Sequence, residues 1–271
     1  MAQKLQEDAE SRKRQPLARG IELLTLMVDS ERETHGVREL AGQMGVSPST
    51  VHRLVTDLER LGLLGRTADG TYRLGLEFLR ISWVTAARYP IQEISIETLQ
   101  GLTDKTGETS FFCTFSEPRR AMKFSISIES PHPLKYSLPM NEWLPLHAGA
   151  SGLAILAFAP SHVQQEVGRS ELLQMTDRTL VQIAPLMNRL AKIREDGFSI
   201  THGERIEGAV AIAAPVFGVA GVIGSVGISL PESRFNAATS SDFAAVARDA
   251  ARSLSGYIQG GRDPYSNEPR L

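Results

Sequence analysis

Two short apolar stripes separated by a tight turn constrain the fold of this chain more than any other feature. The first stripe repeats at i, i+3, i+4 and i+7 along one helical face: Val37, Leu40, Ala41 and Met44. The second follows at helical spacing: Val51, Leu54, Val55, Leu58 and Leu61. Between them, Gly45 suits a helix end that needs positive φ, and Ser47-Pro48 supplies an N-cap and a proline at the first helical position. Two helices joined so tightly cross steeply, which predicts a helix-turn-helix.

The outer face of the second predicted helix carries short hydroxyls and long cationic donors. Such groups suit phosphates and base edges in the major groove of DNA. Together with the N-cap, the residues predicted to contact DNA there are Ser47, Ser49, Thr50, His52, Arg53 and Thr56. An ordinary helical hairpin with a solvated outer face would show the same pattern, so the two helices alone leave that alternative open.

A predicted β-hairpin follows and favours DNA binding over an ordinary helical hairpin. Asp69-Gly70 is a turn pair, and the strand after it alternates apolar and polar residues. A helix-turn-helix followed by a hairpin is a winged helix, in which Arg66 and Arg73 would flank a phosphate strand or enter the minor groove. A first supporting helix is predicted from a further stripe: Leu17, Ile21, Leu24 and Val28. A short basic arm precedes it, of a kind that is usually a solvated tail: Arg12, Lys13 and Arg14.

The composition indicates a globular chain with two domains. A length of 271 residues is long for one core, and 42% hydrophobic with 22% charged residues is typical of folded proteins. No apolar run reaches the ~20 residues of a membrane span, and the polar N-terminus lacks the apolar segment of a signal peptide, so no membrane is expected. The single cysteine, Cys113, excludes an internal disulfide framework and fits a reducing cytoplasm, where a buried thiol is expected.

The charge balance limits how this chain could bind DNA. Its formal net charge is −2, and its first eighty residues hold as many Lys and Arg as Asp and Glu. Bulk attraction to DNA is therefore absent, and affinity must come from the local placement of arginines. Because an oligomer doubles weak half-site contacts, neutrality predicts oligomeric, site-selective binding.

After the hairpin, the pattern predicts a linker helix and then a domain that mixes strands with helices. Residues 76–90 form the linker, which Pro90 ends. Strands are expected at Glu108–Phe115, Ala121–Glu129, Leu134–Met140, Ala209–Val216 and Val222–Leu230. Helices are expected at Gly152–Ala159, Ser161–Gly168, Leu180–Gly197 and Ser240–Ile258. This order favours an α+β domain around a largely antiparallel sheet. The predicted boundaries are 1–75 for the winged helix-turn-helix, 91–259 for the second domain and 260–271 for a disordered tail.

An enzyme is the competing class, and its motifs are missing. The segment from Gly149 to Leu153 misses the G-x-S-x-G nucleophile elbow, because its closing glycine falls one residue early. The glycines between 218 and 227 recur every third residue, which is not a dinucleotide fingerprint. The histidines lack metal-ligand spacing. No catalytic residue, metal or cofactor is therefore expected. A hydrolase-type enzyme and a metabolite-sensing module without DNA binding remain the alternatives.

The chain resembles the IclR family of transcriptional regulators from about Leu17 to Leu254. The motifs that carry the resemblance are Leu40–Leu54, Tyr72–Gly75, Leu144–Ala148, Ile193–Phe198 and Ala213–Phe217. The resemblance implies a winged helix-turn-helix, a linker helix and a GAF-like effector domain. It also implies a homodimer or dimer of dimers that binds double-stranded operator DNA in answer to a small metabolite, frequently a carboxylic acid. A repressor is expected, because repression needs only occupancy of the operator.

The resemblance also places an effector cavity in the second domain. Carried over by position, its residues are Tyr136, Leu144, Gly149, Ala150, Ser151, Thr201, Ala209, Ala211, Gly227 and Ser229. The Gly149–Gly152 turn leads into a helix, whose N–H groups and dipole would receive a carboxylate, since no buried Arg or Lys is expected nearby. A Gly/Ser stretch that only caps the helix would show the same sequence, so that alternative stays open. Small residues at Thr201 and Ala211 predict a roomy cavity and a larger, even aromatic, acid. His147 is expected to be a structural hydrogen-bonding residue.

Overall fold

The computed structural model describes residues 16–260, with the side chains of 237–240 excepted. The chain divides into two compact units, one that ends at Tyr89 and one that begins at Pro90. The predicted basic arm at residues 12–14 and the predicted tail from residue 261 onward lie outside the described residues.

The first unit contains the predicted helix-turn-helix and hairpin. Its elements are α1 (residues 16–28), α2 (Val37–Met44), α3 (Pro48–Arg60), β1 (Leu64–Arg66), β2 (Tyr72–Leu74) and α4 (Leu76–Arg88). Gly45 ends α2 with φ 63°, and the Ser47 hydroxyl accepts a hydrogen bond from the Thr50 N–H at 3.3 Å to begin α3. Ala41 and Val51 are buried between the two helices. The local cues therefore determine both helix ends and the turn between them.

The hairpin is extended by a contact that the sequence pattern did not indicate. His35 and Tyr72 exchange two backbone hydrogen bonds of 2.8 and 2.9 Å, which adds one residue of a third strand ahead of α2. Tyr72 is buried against the helices. This bridge fixes the base of the hairpin to the helix-turn-helix.

Helix α1 forms as predicted but packs through a different face. Leu23, Leu24 and Met27 are buried in the core of the unit. Of the predicted stripe, Leu24 is buried in this core, and the other members are half or more exposed: Leu17, Ile21 and Val28. Helix α4 buries no residue, and two of its large apolar side chains, Leu76 and Trp83, are 83% and 70% exposed. One edge of this unit therefore presents apolar side chains that the single chain does not cover.

The second unit is the predicted α+β domain with an antiparallel sheet. Its helices are α5 (Ile91–Thr106), α6 (Ala150–Phe158), α7 (Ser161–Arg169), α8 (Ile183–Asp196) and α9 (Ala237–Ile258). Its strands are β3 (Thr109–Ser116), β4 (Ala121–Ile128), β5 (Leu144–Pro145), β6 (Ser199–His202), β7 (Ala209–Gly218) and β8 (Gly221–Pro231). The sheet order is β5-β4-β3-β8-β7-β6, and every neighbouring pair is antiparallel. One core lies between the sheet and α6, α7 and α8, and another lies between the sheet, α5 and α9.

The predicted strand at Leu134–Met140 is wrong. This segment is irregular, and only Met140 forms an isolated bridge, to Phe124. Pro133 precedes it and Pro139 lies within it, and proline cannot donate to a strand ladder. Helix α5 and the short strands β5 and β6 were not predicted. Within residues 16–260, no helix is both long and apolar enough to cross a membrane.

Candidate functional site

The first unit presents an outward polar face on α3. Ser49, His52 and Arg53 are exposed there, while the apolar positions of the same helix are buried. Arg53 forms no ion pair or hydrogen bond with any residue between 16 and 260, so its guanidinium is free to meet an external acceptor. A planar five-donor cation in that state suits a phosphate or a guanine edge.

All four of the predicted hydroxyls on this face form hydrogen bonds within the helix itself. The Ser47 hydroxyl lies 2.9 Å from the hydroxyls of Ser49 and Thr50 and also caps the helix. The Thr56 hydroxyl donates to the His52 carbonyl at 2.8 Å. These groups stabilise α3 and position its exposed donors.

The hairpin contributes two further cations beside this face. Arg66 and Arg73 are both exposed, and Arg66 lies over the Tyr72 ring with its Cζ 6.0 Å from the ring centroid. Neither makes an ion pair within the described part of the chain. Arg38 on the first turn of α2 is likewise exposed and unpaired there, and sequence reasoning missed it because it lies on the first helix rather than the second.

The second unit contains a partly open cavity between the sheet and the start of α6. Its lining residues are Phe111, Phe124, Leu138, Gly149, Ala150, Ser151, Thr201, Glu204, Arg205, Ile206, Ala209, Ala211 and Ser229. Seven of the ten predicted effector residues are in this set. The register of β6, β7 and β8 places three of them side by side, because Thr201 pairs with Ala211 and Ala211 pairs with Ser229.

The N-terminus of α6 opens at this cavity. Gly149 begins the helix with φ 78°, and the Ala150 N–H donates to the Thr201 hydroxyl at 3.0 Å. The structure describes no acceptor within residues 16–260 for the next two N–H groups, those of Ser151 and Gly152. Part of the helix terminus is therefore capped from β6, and part remains available to an anion.

Arg205 is the main correction to the sequence analysis, which expected no buried cation here. The residue lies in the turn between β6 and β7, which Gly203 and Gly208 bend with φ of 67° and 69°. Its Nε donates to the Ala148 carbonyl at 3.1 Å, and its Nη2 donates to the carbonyls of Ala148 and Pro145. Its Nη1 is buried without any hydrogen-bond partner.

The charge of Arg205 is not neutralised by the protein. Burial lowers the pKa of its guanidinium to about 10, so the group still carries its charge at neutral pH. Glu204, the neighbouring acid, instead lies 3.1 Å from Arg189, and burial raises the pKa of the Glu204 carboxyl. No carboxylate in the described part of the chain pairs with Arg205. An uncompensated cation faces the cavity.

The free space in the cavity is about 40 Å³. This is tighter than the small side chains of Thr201 and Ala211 lead one to expect. The Arg205 guanidinium, whose Cζ is 5.9 Å from the Phe124 ring centroid, occupies space that those small residues leave. The expectation of a roomy cavity does not hold in this structure.

Three predicted effector residues do not line the cavity. The Tyr136 hydroxyl donates to the Glu207 carbonyl at 3.1 Å, outside the lining. Leu144 is buried opposite Met122 in the β4–β5 pair. Gly227 lies in the centre of the sheet, where a Cβ would come 2.8 Å from the Ala213 Cα. These three residues stabilise the fold around the cavity and do not form its wall.

Two other residues singled out in the sequence have structural surroundings. His147 is buried, its Nε2 lies 2.9 Å from the Leu173 carbonyl, and burial lowers its pKa. Cys113 is fully buried, and burial raises the pKa of its thiol to about 12. Among the described side chains, no group of three or more His, Cys, Asp or Glu is arranged to hold a metal ion.

Comparisons with known proteins agree with both halves of this description. Residues 16–68 match the IclR helix-turn-helix domain family, and residues 84–256 match the family described as bacterial transcriptional regulator IclR C-terminal. The transcriptional repressor IclR of Escherichia coli is 29% identical over 250 residues, which is 89% of this chain and 88% of that protein.

Two solved structures extend the likeness to the whole fold. An IclR transcriptional regulator from Silicibacter sp. TM1040 superposes with a TM-score of 0.77 at 26% identity and covers 92% of this chain and 98% of its own. An IclR homologue from Microbacterium hydrocarbonoxydans, complexed with 4-hydroxybenzoate, has a TM-score of 0.65 at 21% identity and covers 91% of this chain and 100% of its own.

The curated relatives bear names of transcriptional regulators and repressors rather than of enzymes, so the hydrolase alternative is set aside. The helix-turn-helix match favours a DNA-binding regulator over a sensing module without DNA binding. With a winged DNA-binding unit and an antiparallel α+β unit both matched in order along the chain, the protein belongs to the IclR family of bacterial DNA-binding transcriptional regulators.

Proposed function

We propose that this protein is a dimeric repressor whose binding to operator DNA is controlled by a small organic acid held in the cavity of the second unit. The cavity carries the proposal, because a largely covered guanidinium without a carboxylate partner and the N-terminus of α6 both line it. Both features favour an anion. The Escherichia coli relative is named a repressor, and the Microbacterium homologue was solved with an aromatic acid bound.

On DNA, we expect α3 to enter the major groove. Arg53 and His52 would meet base edges, while Arg66 and Arg73 would meet phosphates. Arg38, on the first turn of α2, would meet the backbone that the first helix of such motifs crosses. Because the first eighty residues have no net charge, a single unit would bind weakly, and two half-sites roughly one helical turn (~34 Å) apart are expected.

The dimer is proposed from uncovered apolar surface in the first unit. Helix α4 has no buried residue, and Leu17, Ile21 and Val28 of α1 are exposed as well. Monomeric proteins rarely expose so many large apolar side chains on one small unit. Pairing through these helices would cover them and would set the spacing of two recognition helices.

Light scattering tests the dimer. The wild type is expected to be at least dimeric at micromolar concentration, and Trp83→Glu on α4 is expected to shift it toward monomer. Val219→Glu is the matched control, because Val219 is 88% exposed but belongs to the second unit. A monomeric wild type, or equal effects of the two substitutions, would refute the proposed interface.

A gel shift with the DNA upstream of the protein's own gene tests control by an acid. The wild type is expected to respond to an organic acid, while Ala211→Phe should fill the cavity, abolish the response and keep operator binding. Ala184→Phe is the control, because Ala184 is exposed at the start of α8. A fully responsive Ala211→Phe protein would show that the effector binds elsewhere. A promoter reporter that rises when the protein is removed would support repression, and one that falls would refute it.

A further inference from the structure

Arg205 differs from Arg189 and Arg234, two other partly covered arginines of the second unit, in lacking a carboxylate partner. Arg189 lies 3.1 Å from Glu204, and Arg234 donates from Nε to Glu108 at 2.7 Å. Arg205 instead donates from Nε and Nη2 to backbone carbonyls, and its Nη1 is buried without a hydrogen-bond partner. A buried cation is costly unless an anion or sufficient hydrogen bonds compensate it. A ligand oxygen that reached Nη1 would supply the acceptor that this atom lacks.

The surroundings of the Arg205 guanidinium are electropositive for a second reason. The Arg205 side chain packs directly against Gly149, since a Cβ on that glycine would come 2.8 Å from Nε. Gly149 is the N-cap of α6, so the guanidinium lies at the positive end of the helix. The open N–H groups of Ser151 and Gly152 follow on the next residues. A carboxylate placed at Nη1 would be close to both sources of positive potential.

We infer that Arg205 is the specificity-determining residue of the effector site and that it selects a small aliphatic monocarboxylate. This inference rests on the proposed effector function. It goes further, because it names the charge, the size and the residue that recognises them.

The selection of a single negative charge follows from the rest of the lining. Arg205 is the one cation among the cavity residues, and Glu204 is the one acid. The remaining residues are apolar or carry small hydroxyls, such as Ser151 and Ser229. A second carboxylate on the ligand would find no cation and would lie in the same cavity wall as Glu204. Dicarboxylates are therefore disfavoured.

The selection of a small body follows from the free volume. A cavity of about 40 Å³ has room for a few water-sized groups, whereas a cavity that takes up benzene measures about 150 Å³. A carboxylate with one to three further heavy atoms, such as propionate, fits this space without displacing Phe111 or Phe124. An aromatic acid requires these side chains or Arg205 itself to move.

Titration calorimetry on the full chain tests the inference with defined probes. Propionate is expected to bind at least tenfold more tightly than propionamide, which has the same shape without the charge, and more tightly than succinate or benzoate. Arg205→Gln is expected to weaken propionate binding at least tenfold, and Arg205→Lys is expected to lose less because it keeps the charge. Arg194→Gln is the control, since Arg194 also donates to a carbonyl, that of Ala157 at 3.2 Å, but lies outside the cavity.

The outcomes separate this inference from the proposed function. Equal affinity for propionate and propionamide, or unchanged propionate affinity in a folded Arg205→Gln protein, would overturn the role of Arg205. Tighter binding of benzoate than of propionate would overturn the size limit, while control by an acid would still stand. If no acid of any size binds the wild type or changes operator binding, the proposed function itself fails. If Arg205→Gln does not fold, the comparison of acid and amide in the wild type decides.

Discussion

The two units place their functional arginines in opposite environments. Arg53 extends from a regular helix into solvent, whereas Arg205 extends from an irregular turn into the interior. An exposed cation keeps its hydration, so its attraction to a phosphate is modest and is screened by salt. A desolvated cation interacts far more strongly with one correctly placed anion. Exposed arginines thus suit a long polyanion that offers many contacts, and a buried one suits a small ligand that offers few.

The largest effect that distinguishes the two units is expected in the stability of the second unit, when Gly227 is changed. Gly227→Ala would force a Cβ against the Ile212 carbonyl and the Ala213 Cα in the middle of the sheet, and would lower the free energy of unfolding of that unit by about 3 kcal/mol. Each unit contains one tryptophan, Trp83 or Trp143, so proteins that keep only one of the two, with the other changed to Phe, report the denaturation of each unit by fluorescence.

The control for that substitution is another glycine of the same unit. Gly256→Ala on α9 meets no atom within 4 Å and is expected to raise stability by about 0.5–1 kcal/mol, because alanine is the better helix former. If Gly227→Ala destabilised both units equally, the independence of the two units that this comparison assumes would be wrong.

A smaller effect is expected in DNA binding when the exposed arginines of the first unit are changed. Arg53→Ala should weaken specific operator binding by about 1–3 kcal/mol and relax the preference for the operator sequence. Arg66→Ala and Arg73→Ala should weaken binding to all DNA sequences alike, and each should reduce the slope of log affinity against log salt concentration by about one. Fluorescence anisotropy at several salt concentrations measures both quantities. Arg60→Ala is the control on the same helix, since Arg60 lies 3.6 Å from Asp57. Operator affinity unchanged in all three variants would contradict the placement of α3 in the groove.

The helix that carries Arg53 depends on its cap. Ser47→Ala removes the acceptor of the Thr50 N–H and is expected to lower the stability of the first unit by about 1 kcal/mol. Ser49→Ala removes only a hydroxyl that contacts Ser47 and should have less effect. Thermal unfolding followed by Trp83 fluorescence compares them. Equal losses would mean that the cap contributes nothing beyond the hydroxyl cluster.

The smallest expected effect is a pH dependence in the second unit. Burial lowers the pKa of His147 below its ordinary 6.5, so the unfolded chain binds the proton more readily than the folded one. Stability should therefore fall as pH drops through about 6.5 and should stop falling once pH passes the lower pKa of the folded state. In His147→Gln, this part of the pH dependence should disappear. A slope between pH 7 and 5 that is the same in both proteins would assign it to other groups.

The first unit was largely predictable because its information is local. The spacing of Leu40, Ala41 and Val51, the glycine at 45 and the Ser47-Pro48 pair determine each helix end within a few residues. The stripe on α1 did not indicate which apolar face of that helix packs in the core of the unit. Leu23 and Met27 are one helical position away from the predicted stripe, and only tertiary contacts decide between two apolar faces.

The residues that line the cavity were predictable only where they lie on regular strands, whose register places them side by side. Thr201, Ala211 and Ser229 were placed correctly together, since a resemblance in regular strands carries over position by position. Arg205 was missed because it lies in a turn between two positive-φ glycines, where no periodicity indicates which way a side chain points. Tyr136 was misplaced for the same reason, since its segment is not the strand that was predicted.

The unpaired Nη1 of Arg205 also bears on how long the protein lasts in a cell. A core that encloses an unneutralised charge is incomplete, and a ligand that supplies the missing anion binds the native state alone. At a hundred times its dissociation constant, such a ligand adds about 2.7 kcal/mol to the free energy of unfolding. Differences of that size change the fraction of chains exposed to proteases and hence abundance several-fold. The effector would then govern the supply of the regulator as well as its occupancy of DNA, so a cell without the acid would hold fewer copies of it.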